Sequence, residues 1–137
     1  MIWLSYNCRG LANPKKRLAL KHLLHGSNCD ILFLQETLGN SDIITKTLRS
    51  ILPGWVFQGM DAIGRSGGLV IGINPKVVKH ISSWGGLGFI GMDIFVSELG
   101  YQLKMINIYA TNQNRMEFWH NLLEHNIVSS TTINGGT

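Results

Sequence analysis

Charge is scarce in this chain. Asp, Glu, Lys and Arg make up 15% of its 137 residues, where a soluble domain ordinarily carries about 25%. So charge-poor a surface suits a domain that packs against something further. Cysteine is scarcer still, with only Cys8 and Cys29, which rules out a disulfide-stapled scaffold. No apolar run approaches the roughly 18 residues needed to cross a bilayer as a helix, and no basic segment followed by an apolar one opens the chain as a secretory leader would. Internal repeats, linkers and low-complexity tracts are also missing. These absences leave one domain at most, with an intracellular location, nucleus or cytoplasm, as the expectation.

What is present is enough apolar residue for a real core, at 45% of the chain. The net charge of +4 is mildly basic. It suits a polyanionic partner without requiring one.

Residues 2–6 read as a buried strand. Asn13 followed by Pro14 reads as a helix start, with Asn as the cap and Pro in the first turn. Leu20, Leu23 and Leu24 share one helix face, and Gly26 is the expected stop. A second apolar strand spans about 30–35. Asn40 or Ser41 caps a second helix, whose apolar stripe is Ile44, Leu48, Ile51 and Leu52, and Pro53-Gly54 ends it. Strand, crossover helix and parallel strand bring both strand ends to one sheet edge, the edge where open α/β sheets bind ligands. Asn7 and Glu36 end those two strands. Cys8 and Cys29 fall at opposite ends of the unit, roughly 17–20 Å apart. That is beyond the about 7 Å a disulfide spans, so both are read as free thiols in a reducing compartment.

From Trp55 the rhythm becomes that of strands: WVFQG, GLVIGI, VVKHISSW, MDIFVSE and YQLKMINIY. A turn holds Gly64, Gly67 and Gly68, and Leu99-Gly100 makes a hairpin. Asn114 and Glu117 have the spacing of a capping box before a third helix, with Phe118, Leu122 and Leu123 inward. The end, SSTTINGGT, reads as a polar tail. The GLGFIG segment at 86–91 matches a dinucleotide fingerprint by letter, but a strand rather than a helix follows it, so it reads as a loop. His22, His25, His120 and His125 have no zinc-ligand spacing. Lys15, Lys16, Arg17 and Lys21 read as a solvated basic face.

SYNCRGL, ILFLQET, GRSGGLVIGI and MINIYATNQNR, in that order, resemble the endonuclease/exonuclease/phosphatase superfamily. More narrowly they resemble the AP-endonuclease-like N-terminal domain of plant non-LTR (LINE) retrotransposon polyproteins. The resemblance implies a layered α/β sandwich, of which this chain supplies the N-terminal portion, and hydrolysis of DNA assisted by Mg²⁺ or Mn²⁺. It assigns metal binding to Glu36 with Asn7. A carboxylate suits a hard cation that keeps several waters, although a Glu there also serves as a plain loop residue and an Asn there also closes a turn on its own backbone. Tyr109 is assigned to the scissile phosphate, against the alternative of a strand-end aromatic packing on a loop. Where many relatives carry Asp, Arg9 stands and is available to phosphate. Arg65 and Ser66 in the glycine-rich turn, and Asn112 and Arg115 after the last strand, are weaker nucleic-acid contacts.

The family mechanism also needs an Asp-x-Asn strand end after Gly, as in GGDFN, and an Asp–His base pair. Here INGG is followed by Thr137, and the later residues are missing. Residues 1–137 are therefore expected to be a C-terminally truncated, inactive domain, prone to associate with a completing partner or to aggregate through an exposed sheet face. Two other readings stay open: a non-catalytic nucleic-acid-binding or interaction module, and a small-molecule or lipid phosphatase.

Overall fold

The computed structural model describes residues 1–63, 66–108 and 132–136, with Ile63, Ser66 and 132–136 by backbone alone. The elements are β1 (Trp3–Asn7), α1 (Pro14–Ser27), β2 (Ile31–Gln35), α2 (Ser41–Ile51), β3 (Val56–Ile63), β4 (Ser66–Ile73), β5 (Val78–Gly86), β6 (Phe89–Val96), β7 (Tyr101–Ile108) and β8 (Thr132–Gly136). They form two four-stranded sheets, ordered β1-β2-β4-β3 and β5-β6-β7-β8. Within the first, β1 and β2 are parallel and the other pairs antiparallel. Within the second, β7 and β8 are parallel. The architecture is the expected α/β sandwich.

Local chemistry starts both helices. The side chain of Asn13 accepts from the Lys15 amide, with Pro14 in the first turn. The side chain of Asn40 accepts from the amides of Asp42 and Ile43. Each cap satisfies amides that a helix N-terminus otherwise leaves unpaired. Leu20 and Leu24 of α1, with Ile44, Leu48 and Ile51 of α2, pack on Leu32, Leu34 and Val70 from the outer face of the first sheet. The opposite face places Ile31, Phe33, Leu69, Ile71 and Ile73 against Ile90, Met92, Ile94, Val96, Leu103 and Met105 of the second sheet. All five residues of β2 are buried, the apolar run Ile31–Leu34 and the polar Gln35 that ends it, as a strand covered on both faces requires.

Five expectations need correction. Gly67 and Gly68 are not in the turn but in β4, where Gly67 pairs with Ala62 of β3. Gly26 does not end α1; the helix runs through Ser27, and Asn28 takes the left-handed capping conformation at φ 52°, which a short polar side chain tolerates. β1 sits one residue later than expected, so Asn7 is its last member, paired with Gln35, and it is not a buried strand: as the edge of the first sheet it has no buried residue. The 86–91 segment is no loop. Gly86 pairs with Phe89 and Gly91 with Trp84, making a tight hairpin between β5 and β6. Finally, 132–136 is a strand docked on β7 rather than a tail. The third helix expected after Asn114 lies outside the described residues. Both cysteines are free and buried. Among the described residues no helix is long and apolar enough to cross a membrane.

Candidate functional site at the C-terminal strand rim

The C-terminal ends of β1 and β2 meet because the strands are parallel and in register, Asn7 opposite Gln35. Beyond them the chain stays zipped. The amide of Cys8 donates to Gln35 O at 2.9 Å, Gly10 to Glu36 O at 2.8 Å and Leu11 to Thr37 O at 3.1 Å. On the opposite flank Thr37 donates to Gly68 O at 3.3 Å and Leu38 to Gly67 O at 3.1 Å. The segment Glu36–Leu38 is thus clamped between the loop after β1 and the start of β4.

The clamp imposes a strained backbone. Arg9, Glu36 and Leu38 are all left-handed, at φ 51°, 51° and 53°, a region that costs a residue with a Cβ roughly 1–2 kcal/mol. Three such residues within one rim match the tendency of backbone strain to gather where geometry serves a task. The close approach is possible because Gly68 is glycine. A Cβ there would fall 2.3 Å from Thr37 Oγ1 and 3.0 Å from the Leu38 amide.

Glu36 and Asn7 are half-buried, while Arg9 is exposed. Asn7 Oδ1 accepts from the Arg9 amide at 3.1 Å, so Asn7 does close the turn on its own backbone; its amide nitrogen and the second acceptor site of Oδ1 remain. Among the described residues the Glu36 carboxylate has no hydrogen-bond or ion-pair partner. Cys8, beside it, is buried. Its thiol is pushed up to about 12 by burial first and by the Glu36 carboxylate second, with Lys16 acting in the opposite direction. Two of the basic residues on α1 are less solvated than expected. Arg17 Nη1 donates to Leu11 O and Ala12 O at 3.0 and 2.9 Å, and Lys16 Nζ donates to Arg9 O. They hold the loop that carries Arg9.

The second sheet reaches the same rim. Asn107, next to last in β7, is fully buried and hydrogen-bonds to Gln35, Leu34 and Val70. In β8, Gly135 and Gly136 pair with Asn107 and Ile108 in parallel. The C-terminal ends of β1, β2, β7 and β8 therefore lie on one rim, and position 109 follows the last residue of β7. Tyr109, Asn112, Arg115 and Arg65 themselves lie outside the described residues, and Ser66 is described by backbone alone. Sequence reasoning overlooked Asn107 and Gln35. A signal existed: each is a polar residue in the inward phase of an apolar strand, after Leu103 and Met105 and after Ile31 and Phe33.

Among the described residues no group of three or more His, Cys, Asp or Glu side chains could hold a metal. A carboxylate and an amide oxygen on adjacent strand ends remain. Both are hard donors, and that set fits Mg²⁺, which takes one or two carboxylates, keeps several waters and shares phosphate oxygens. His25 Nε2 instead lies 3.1 Å from Ile51 O, a structural contact between α1 and α2.

The family model for the endonuclease/exonuclease/phosphatase family matches residues 4–131. No curated protein matches the chain. Among solved structures, the human Nocturnin catalytic domain with bound sulfate is similar at 15% identity and a TM-score of 0.68, over 90% of this chain and 56% of that one. TDP2 of D. rerio in complex with a single-strand DNA product is similar at 17% identity and 0.60, over 86% and 50%. An endonuclease/exonuclease/phosphatase from Bacteroides vulgatus is similar at 14% identity and 0.69, over 98% and 64%. At these identities the likeness is one of fold, and the chain spans about half to two thirds of the length of those structures. With 4–131 matched, this chain belongs to the endonuclease/exonuclease/phosphatase family.

Proposed function

We propose that the rim is the metal- and phosphate-binding end of a phosphodiester hydrolase domain acting on DNA, of the kind found in plant LINE-type retroelements. One observation carries this reading. Asn7 and Glu36 stand on adjacent strand ends, on the rim that also ends β7 and β8. Glu36, assisted by Asn7, holds Mg²⁺ or Mn²⁺. A cation bound there neutralises the charge that builds on the phosphate oxygens. Tyr109, one residue beyond β7, hydrogen-bonds the phosphate. Arg9, exposed on its own turn, approaches the nucleic-acid backbone, with Arg65, Ser66, Asn112 and Arg115 as further contacts. The DNA preference rests on the sequence resemblance to retroelement endonucleases.

The 137-residue polypeptide is one part of such a domain and has no hydrolytic activity alone. It spans about half to two thirds of the related structures, and neither the Asp-x-Asn strand end nor the Asp–His pair is among its residues. Loss of a general base alone removes about 10²–10⁴ in rate. Ile2 and Trp3, at the outer edge of the first sheet, are half exposed, which supports a completing partner on that side.

The test has two arms. Mn²⁺ binding to the 137-residue chain is followed by loss of the free-ion electron paramagnetic resonance signal, with and without inorganic phosphate. One site is expected, abolished by Glu36→Gln. The same protein is then incubated with supercoiled plasmid and Mg²⁺, where no nicking is expected. Mn²⁺ binding that is absent, or indifferent to Glu36→Gln, overturns the site. Nicking that vanishes with Glu36→Ala overturns the proposed inactivity.

A further inference from the structure

A run of side-chain hydrogen bonds lies one layer beneath the rim. Gln35 Nε2 donates to Ser5 Oγ at 3.2 Å and to Asn107 Oδ1 at 2.8 Å. Asn107 Nδ2 donates to Leu34 O at 2.9 Å and to Val70 O at 2.8 Å. All four amide protons of the two side chains are used. Gln35 is 1% exposed and Asn107 0%. The run joins β1, β2 and β4 of the first sheet to β7 of the second.

Its members stand in a fixed relation to the rim. Ser5 is two residues before Asn7, Gln35 is immediately before Glu36, and Asn107 is two residues before position 109. Apart from the bond that Gln58 Nε2 of β3 donates to Trp84 O of β5 at 3.0 Å, far from this rim along the sheet order, the core between the sheets is apolar among the described residues: Phe33, Leu69, Ile71, Met92, Leu103 and Met105. Apolar surfaces of this kind tolerate repacking with small loss, so they set the height of one sheet on the other only loosely. A slip of one residue along a strand moves it about 3.3 Å. Such a slip leaves the apolar contacts replaceable but breaks every bond of the run and strands buried amides without partners.

We infer that Gln35 and Asn107 are positioning residues: a buried amide tie that holds the end of β7 level with Glu36 and so fixes the geometry of the metal-binding rim. The inference rests on the proposed metal site at Glu36 and adds to it the device that aligns the two sheets there. Neither side chain touches the metal or the phosphate. Both act through the strand ends they join. Their hydrogen bonds go to Ser5, Leu34, Val70 and each other rather than to Glu36 or Asn7, and the expected loss is set by comparison with partners that bond a ligand directly, which change metal affinity about 10–100-fold.

The test uses ¹⁵N-labelled 137-residue chain and Mn²⁺ alone as the probe. Paramagnetic broadening in the unsubstituted protein is expected at the amides of Cys8, Glu36 and Ile108. Asn107→Leu is expected to weaken Mn²⁺ binding at least tenfold and to free the Ile108 amide from broadening while that of Glu36 persists at saturation. Gln35→Met fills a similar volume and keeps the two Asn107 bonds to carbonyls. It gives the same readouts if Asn107→Leu does not fold. Leu48→Ala, in the core beneath α2, serves as the control for stability alone; it is expected to lower the melting temperature without changing Mn²⁺ affinity or the Ile108 broadening. Folded Asn107→Leu or Gln35→Met with unchanged affinity and unchanged Ile108 broadening overturns the tie and leaves the metal site intact. A Leu48→Ala protein that loses affinity as much as they do also overturns it. No broadening near Glu36 in the unsubstituted chain removes the metal site and the inference with it.

Discussion

Replacing Gly68 by alanine tests whether the Glu36 segment is held by close backbone approach. Two costs add. Gly68 sits at φ +88°, where a residue with a Cβ is strained by about 1–3 kcal/mol. The new Cβ would also lie 2.3 Å from Thr37 Oγ1 and 3.0 Å from the Leu38 amide nitrogen. Thr37 is 1% exposed, so its side chain has nowhere open to turn, and the amide belongs to backbone. Relief requires lifting the 36–38 segment off β4. That breaks the Thr37–Gly68 and Leu38–Gly67 bonds, or else compresses the site, at about 1–3 kcal/mol. The sum is about 2–6 kcal/mol, a large part of the about 5–15 kcal/mol that holds a domain together. Urea unfolding followed by far-ultraviolet circular dichroism measures it. The double variant Thr37→Ala/Gly68→Ala removes the Oγ1 contact and is expected to recover about 1 kcal/mol relative to the sum of the single changes. A Gly68→Ala protein within about 0.5 kcal/mol of the parent, with no coupling to Thr37, would mean the close approach does not exist.

Three further outcomes follow from the same geometry. Glu36→Gly is expected to be more stable than Glu36→Ala by about 1 kcal/mol, the reverse of the usual order, because only glycine is at ease at that φ; equal midpoints in urea would contradict the left-handed backbone. The raised pKa of Cys8 sets a pH dependence. Above its ordinary value near 9 the thiol ionises only when the chain unfolds, so the unfolded state binds fewer protons and stability falls as pH rises towards 12, by up to about 1.4 kcal/mol per pH unit. Stability measured at pH 8 and pH 10 (roughly, on either side of the thiol's usual pKa) should therefore diverge in the parent more than in Cys8→Ala, and equal slopes would refute the buried thiol. Gly91→Ala drives a Cβ to within 2.0–2.3 Å of the Trp84 ring. The ring must leave Phe89, on which it packs, and the Lys104 ammonium 5.3 Å from its centroid, costing about 1–3 kcal/mol and changing the near-ultraviolet circular dichroism of the tryptophans; an unaltered spectrum would count against that packing.

The sequence by itself determined the pieces whose causes are local. Asn13-Pro14 and the Asn40-Ser41 pair mark helix starts because a short polar side chain reaches an amide two residues on, as Asn13 and Asn40 do. The segment 30–35 is an apolar strand because Ile31–Leu34 run unbroken. A strand, a helix and a strand put Asn7 and Glu36 at one edge because a crossover helix leaves the two strands parallel. Only the tertiary structure decided what depends on residues far apart in the chain. The Gln35–Asn107 bond joins residues 72 apart, and no periodicity within either strand names the other as partner. The left-handed backbone of Glu36 comes from being clamped between the loop after β1 and the start of β4. The 132–136 segment, polar and glycine-ended, is a strand because β7 offers it an open edge. Such features arise from the meeting of two sheets, each of which brings its own unpaired groups and its own close contacts, and the strand ends acquire a common rim only when those sheets are stacked and aligned.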